Sequence, residues 1–400
     1  QSYEDEAQRA DIEHLCQQLY ASLAPHAYPL DAGVLYEPDR EPVCQGAAHF
    51  MLEGFANIWV VDRLATEANW THIAPKSTGA PRLVFFSIKG GVGRSTALAV
   101  TAWRLAQAGK RVLVLDLDLE SPGLSSALLP AERLPMYGIT DWLVEDLVNN
   151  GELILADMVA TSNLAHDGEI YVVPAHGKQH GEYIAKLGRV WMPKRAMNGM
   201  HETWSARLER LLQALEQQCQ PDVVLIDSRS GIDEIASACI TELGASLILL
   251  FALEGEQTWN GYRMLFEQWL QAGVAEQIRE RLQIISALTP ELERVNYLIE
   301  LREHSYALFL DALYDQIPPG SAQYVEDNKW QVGALPEGWN FDEADDGAPH
   351  SPWPVNWHRG FAGLRSLHGR LIGIDHQEVQ PVFGALLDGV LNFIDTEDTP

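Results

Sequence analysis

Gly90, Gly91, Val92, Gly93, Arg94, Ser95 and Thr96 follow an apolar run at residues 83–87 and open a helical pattern that continues through Leu98, Val100 and Leu105. A strand, a glycine-rich turn and a Ser/Thr in the first turn of a helix is the arrangement that cradles the phosphates of a nucleoside triphosphate. Backbone N–H groups of residues 90–95 turn into such a loop. The helix N-terminus adds partial positive charge, so an anion is favoured there. Ser95 stands where a hydroxyl ligates Mg²⁺. A phosphate loop also needs carboxylates to hold the cation and to place water. The chain offers Asp116 and Asp118 in DLDLESPG, after an apolar run at 112–115, and Asp227 at the end of PDVVLID. An acid that closes an apolar strand in this context is read as a holder of Mg²⁺, and Asp227 takes that role.

KGGVGRST from Lys89, the D-x-D at Asp116–Asp118 and the strand-ending Asp227 together resemble the ParA/MinD family of P-loop ATPases, with its deviant Walker A loop KGGxGK[ST]. The resemblance implies ATP or ADP with Mg²⁺ as cofactors, bound along Lys89 to Thr96. It implies that Lys89 reaches across a two-fold interface to the phosphates of a second copy. It also implies that Asp118 positions the attacking water and, with Ser95 and Asp227, belongs to the Mg²⁺ site. Two departures stand out. The usual P-loop lysine is replaced by Arg94, a longer planar fork in place of a compact point charge, which predicts slow hydrolysis. The family's Thr-Pro-Pro after the second acid is here Ser228, Arg229 and Ser230, and Arg229 is read either as a phosphate contact or as an outward ion pair.

The elements that must position these residues are legible around them. Apolar strand candidates at 83–87, 112–116, 170–174, 223–227, 247–251 and 282–287 alternate with helical patterns at 95–107, 205–218 and 261–272. Strands apolar on both faces belong to a parallel sheet covered by helices on each side. The expected fold is therefore α/β, a doubly wound, mostly parallel sheet of the P-loop NTPase kind, spanning 81–400 and closed by a last helix at 379–393. Residues 1–80 are read as a mainly helical extension. It has one helix at 4–23, with Ile12, Leu15, Leu19 and Leu23 on one face, and a second across 47–64. Residues 77–81, Ser-Thr-Gly-Ala-Pro, read as a linker.

Composition narrows the function classes. The formal net charge is −28 over 400 residues, which disfavours nucleic acid as a partner, because non-specific binding runs on neutralisation of phosphates by Lys and Arg. The basic stretch 186–210 is read as a partner-facing or solvated helical segment. Cys16, Cys44, Cys219 and Cys239 contain no C-x-x-C pair, which excludes a disulfide framework and an iron–sulfur carrier. No long apolar run, no secretory h-region and no basic amphipathic tail is present, so no membrane association is expected and the cytoplasm is the expected compartment. His176 and His180 lack a third ligand nearby, and the acidic residues of 340–354 lack a Ca²⁺-loop pattern.

The expected function is an ATP-binding, slowly hydrolysing ATPase that acts as a nucleotide-dependent dimerisation switch and recruits a partner protein. The KGGVGR variant with its unfamiliar extension looks like multi-component bacterial systems, defence and conflict systems among them. The alternative is a nucleotide-bound scaffold with little or no hydrolysis. A tyrosine-kinase relative is disfavoured because the tail VLNFIDTEDTP carries no tyrosine.

Overall fold

The computed structural model describes residues 6–23, 48–54, 58–62, 69–165, 167–179, 181–195, 201–315, 338–361 and 364–397. The chain divides into two compact units, 1–65 and 66–400.

In the first unit the helix α1 spans Glu6–Leu23, and its Leu15, Leu19 and Leu23 are exposed at 45%, 50% and 55%. The expected second helix over 47–64 is corrected. Strands β1 (Ala48–Met51) and β2 (Trp59–Asp62) form an antiparallel pair that matches Phe50 with Val60 and Met51 with Trp59. The physical reason is local. Val60, Val61, Trp59 and Phe50 favour a pleated surface. Gly54, at φ 82°, is a turn residue that a helix interior would have to absorb at about 1 kcal/mol.

The second unit is built on an eight-stranded sheet in the order β12-β11-β10-β3-β9-β4-β6-β5. Its strands are β3 (Arg82–Ser87), β4 (Arg111–Asp116), β5 (Ala160–Thr161), β6 (Glu169–Val173), β9 (Val223–Asp227), β10 (Leu247–Ala252), β11 (Leu282–Thr289) and β12 (Trp353–Asn356). A separate short ladder joins β7 (Lys194–Arg195) to β8 (His201–Glu202). All pairings in the large sheet are parallel except β5 with β6.

Both faces of the sheet are buried, as the apolar runs require. Every residue of β3 is buried. Val84 and Phe86 pack into one core, Leu83 and Phe85 into the other. The first core is covered by α3 (Ile139–Asp146), α4 (Trp204–Cys219), α5 (Glu256–Gln271) and α6 (Arg294–Ala312). The second is covered by α2 (Arg94–Gln107), α7 (Leu364–Gly373) and α8 (His376–Glu397). The closing helix thus returns to the sheet through Val379, Phe383, Leu386, Leu387 and Val390. Each such side chain contributes about 1.5–3 kcal/mol by leaving water.

The segment read as a linker is tied to the sheet unit by Ser77, whose N–H donates to Gly244 O at 2.9 Å, as Ala74 just before it donates to Thr241 O at 2.7 Å. The proline- and tryptophan-rich stretch contributes an unexpected strand, β12. It lies at the sheet edge, where Pro354 removes no interior ladder bond.

The topology places the site. From β3 the chain crosses to β4 on one side, while β10, β11 and β12 lie on the other. In open α/β sheets ligands bind beyond the carboxyl ends of the strands where the order reverses, and here that point is the end of β3.

Candidate functional site

The loop after β3 is shaped by two glycines in the left-handed region, Gly91 at φ 77° and Gly93 at φ 79°. Val92 between them is buried and anchors the loop in the core beneath α2. Gly93 is the N-cap of α2, so the helix start has no side-chain cap, and its first turn contains no acid. The orphan N–H groups of a 14-residue helix therefore face the loop without an internal anion. Ser95 and Thr96 line the same cavity. Lys89 is exposed at the rim and is not part of the lining.

The acids are delivered by register. Asp116 ends β4 and Asp227 ends β9, and the two are direct partners across the ladder; Asp227 also faces Phe85 of β3. Both are fully or almost fully buried, at 0% and 1% exposure. Asp118 follows two residues past β4 and is more open. Arg94, the first residue of α2, turns inward and joins them. Its Nε donates to Asp227 Oδ1 at 2.7 Å, Nη2 to Asp118 Oδ2 at 3.3 Å and Nη1 to Ser87 Oγ at 3.2 Å. The structure thus brings Gly90 to Thr96, Asp118 and Asp227 together and leaves Lys89 outside.

The electrostatics follow from burial. Desolvation, reinforced by Asp227 and Asp118, pushes the Asp116 carboxyl up to about 8. Asp118 is raised too, by burial first, against the pull of Arg94. Burial alone would lower the Arg94 guanidinium, but Asp227, Asp118 and Asp116 outweigh it and hold it charged. Two buried carboxylate oxygens, Asp116 Oδ1 and Asp227 Oδ2, have no hydrogen-bond partner. An unpartnered buried carboxylate oxygen such as Asp227 Oδ2 is what a hard cation takes up. Mg²⁺ needs only one or two protein carboxylates beside waters and phosphate oxygens. Ser95 and Asp118 line the cavity and Asp227 has one oxygen unpartnered, donor types that fit such an ion, although no group of three acids, histidines or cysteines stands ready as a metal cage among the described residues.

The cavity over the glycine loop has a volume of about 630 Å³, within the range of small-ligand sites. Its opposite wall was not foreseen from the sequence. It comes from the ends of β11 and β12 and from α8, through Leu288, Val355, Trp357, Phe361 and Phe383. Leu288 holds a left-handed backbone, φ 47°, uncommon for a branched apolar residue. The clue available in sequence was slight: aromatic residues clustered in a polar, proline-rich loop.

Arg229 is an ion-pair residue here, with Glu120 at 2.6 Å and Asp233 at 3.0 Å, so it links the loops after β4 and β9. The basic stretch 186–210, read as a partner-facing or solvated segment, is solvated in part: Arg189 is exposed and the Arg210 side chain is 41% exposed. Lys194, Arg207 and Arg210 all converge on buried Asp146, and Lys186 pairs with Asp141. His176 packs edge-on against Tyr183, and His180 lies outside the described residues.

Residues 83–244 match the family described as the CobQ/CobB/MinD/ParA nucleotide binding domain. The septum site-determining protein MinD of Buchnera aphidicola is 27% identical over 178 residues, 44% of this chain and 52% of that protein. A putative arsenical pump-driving ATPase of Aquifex aeolicus is 51% identical over 37 residues, 9% of each chain. The chain thus spans about half of the first relative and about a tenth of the second. Among solved structures, the MinD of Pyrococcus horikoshii complexed with Mg-ADP is 20% identical, with a TM-score of 0.37 over 54% of this chain and 72% of that one.

Proposed function

We propose that this chain, which carries a ParA/MinD-like P-loop ATPase domain, binds ATP with Mg²⁺ over the glycine loop and uses it as a switch for dimerisation and partner recruitment. The observation that supports this best is the convergence, at one cavity, of an uncapped helix start with Asp118 and with Arg94, which ties Asp118 to the buried Asp227.

The roles follow from position. The amides of residues 90–96 receive the β- and γ-phosphates. Ser95, Asp118 and Asp227 would hold Mg²⁺, which when bound would neutralise phosphate charge. Asp118, on a loop that lines the cavity, orients a water toward the terminal phosphate once Arg94 releases it. Lys89 lies outside its own cavity, where it serves the phosphates of a second copy across a two-fold axis. The likeness to MinD suggests the same nucleotide. Net charge of −28 and the internal pairing of the basic stretch favour a protein partner over nucleic acid. No helix among the described residues is long and apolar enough to cross a membrane.

A second reading is a nucleotide-bound scaffold with little turnover. It is favoured by Arg94 itself, whose guanidinium engages both Asp118 and Asp227. Calorimetric titration with ATP and with ADP, each with Mg²⁺, tests binding; no heat with either at millimolar concentration would end both readings. Phosphate release at saturating ATP separates them: measurable turnover lost in Asp118→Asn supports the switch, and none in the wild type supports the scaffold.

A further inference from the structure

Arg94 belongs to the phosphate loop by sequence, yet its guanidinium is already engaged by side chains at the strand ends and just beyond them. All three of its nitrogens are engaged there, by Asp227, Asp118 and Ser87, and the side chain is 7% exposed. The two carboxylates it bridges are the ones a divalent cation would take. A cation ligated by Asp118 and Asp227 would lie beside a fixed positive group in a buried site, where like charges are poorly screened. Arg94 leaves only Asp227 Oδ2 without a partner, so a cation that takes both carboxylates has to displace it.

Nor can Arg94 yield by losing its proton. A buried lysine can shed its charge, whereas a guanidinium stays protonated in proteins. It can only move. The loop beside it offers a destination once phosphate is bound, because paired phosphate oxygens match the guanidinium fork. The departure leaves Asp227 buried without a counter-ion, which is strongly unfavourable unless another cation arrives.

The geometry points to a cation exchange: Arg94 is the resident counter-ion of Asp118 and Asp227 in the ligand-free chain, and it leaves them for phosphate only as a divalent cation replaces it. Arg94 is then a positioning residue that makes metal and nucleotide enter together. The nucleotide half of this exchange rests on the reading proposed above; the resident counter-ion half does not.

Mn²⁺ alone serves as the probe, titrated into the ligand-free full chain and followed by electron paramagnetic resonance. Arg94→Gln is expected to bind Mn²⁺ at one saturable site at least about tenfold more tightly than the wild type does. The double variant Arg94→Gln/Asp227→Asn loses it again. Equal Mn²⁺ affinity in wild type and Arg94→Gln overturns the proposal. Should Arg94→Gln fold poorly, the wild type decides alone, through the Mn²⁺ it retains after gel filtration with and without ADP. Retention only with ADP supports the exchange, and equal retention without ADP overturns it. Wild type that retains no Mn²⁺ in either case, beside an Arg94→Gln variant that gains the site, keeps Arg94 as resident counter-ion and removes the nucleotide reading.

Discussion

At Gly93 the backbone leaves little choice of side chain. Its φ is 79°, and a Cβ there would stand 3.1 Å from Leu288 Cδ2. Gly93→Ala is expected to cost about 1–2 kcal/mol and to weaken ATP binding, read from urea denaturation and calorimetry on the same preparation; an unchanged midpoint would show a slack loop. Asp118→Asn keeps shape and removes charge, while Arg94 retains Asp227. Phosphate release should vanish with ADP binding held within about threefold, a change under 1 kcal/mol. Loss of ADP binding as well would make Asp118 a support of the loop. Arg94→Lys should raise turnover, since a compact ammonium reaches phosphate without spanning two acids, and a slower variant would contradict that. The glycines, Ser95 and Asp227 were legible in sequence because each answers a local demand of strand, turn or helix start. The grip of Arg94 on Asp227 was not, because register between β3, β9 and β4 decides it.

Among the elements, α3 and α4 are joined through one acid. Asp146 at the end of α3 accepts from Lys194 at 2.9 Å and from Arg207 and Arg210 of α4, each at 2.9 Å. Burial alone would raise its carboxyl, but the hydrogen bonds from Arg210, Lys194 and Arg207 outweigh that and hold it at about 2. A depressed acid contributes stability above its unfolded value of about 4 and loses it as pH falls toward the folded one. The urea midpoint should therefore drop between pH of about 4 and about 2, and Asp146→Asn should flatten that portion of the profile. The same variant strands the fully buried Arg207 and should cost about 3–5 kcal/mol at neutral pH. This network was not readable from the stretch 186–210 alone: its charges are obvious, and their partner lies in a helix more than forty residues upstream. The parallel strands were readable because β3, β9 and β10 are apolar on both faces. β12 was not, since Trp-Pro-Val-Asn contains the residue that argues against a strand, and only an edge position reconciles the two.

For the whole molecule, net charge works against self-association. Two copies each at −28 repel at long range, so an ATP-dependent dimer must be held by contacts at the site. Raising salt from about 10 mM to about 150 mM shortens the screening length from about 30 Å to about 8 Å. It should therefore strengthen the dimer formed with a non-hydrolysed ATP analogue, as seen by sedimentation velocity. Lys89→Ala should abolish that dimer while leaving nucleotide binding in place. A dimer that weakens with salt would show that ion pairs across the interface outweigh the repulsion.

The place of β3 in the sheet has a consequence for synthesis. It is the earliest strand of the large sheet, yet its two neighbours, β9 and β10, begin at Val223 and Leu247. At about 5–20 residues per second, the ribosome presents this apolar segment for roughly ten seconds before either neighbour exists. During that time RLVFFS is an open strand with the composition that draws in other chains. The segment that carries the glycine loop is thus the one through which a nascent chain would be held by a chaperone, or lost to aggregation.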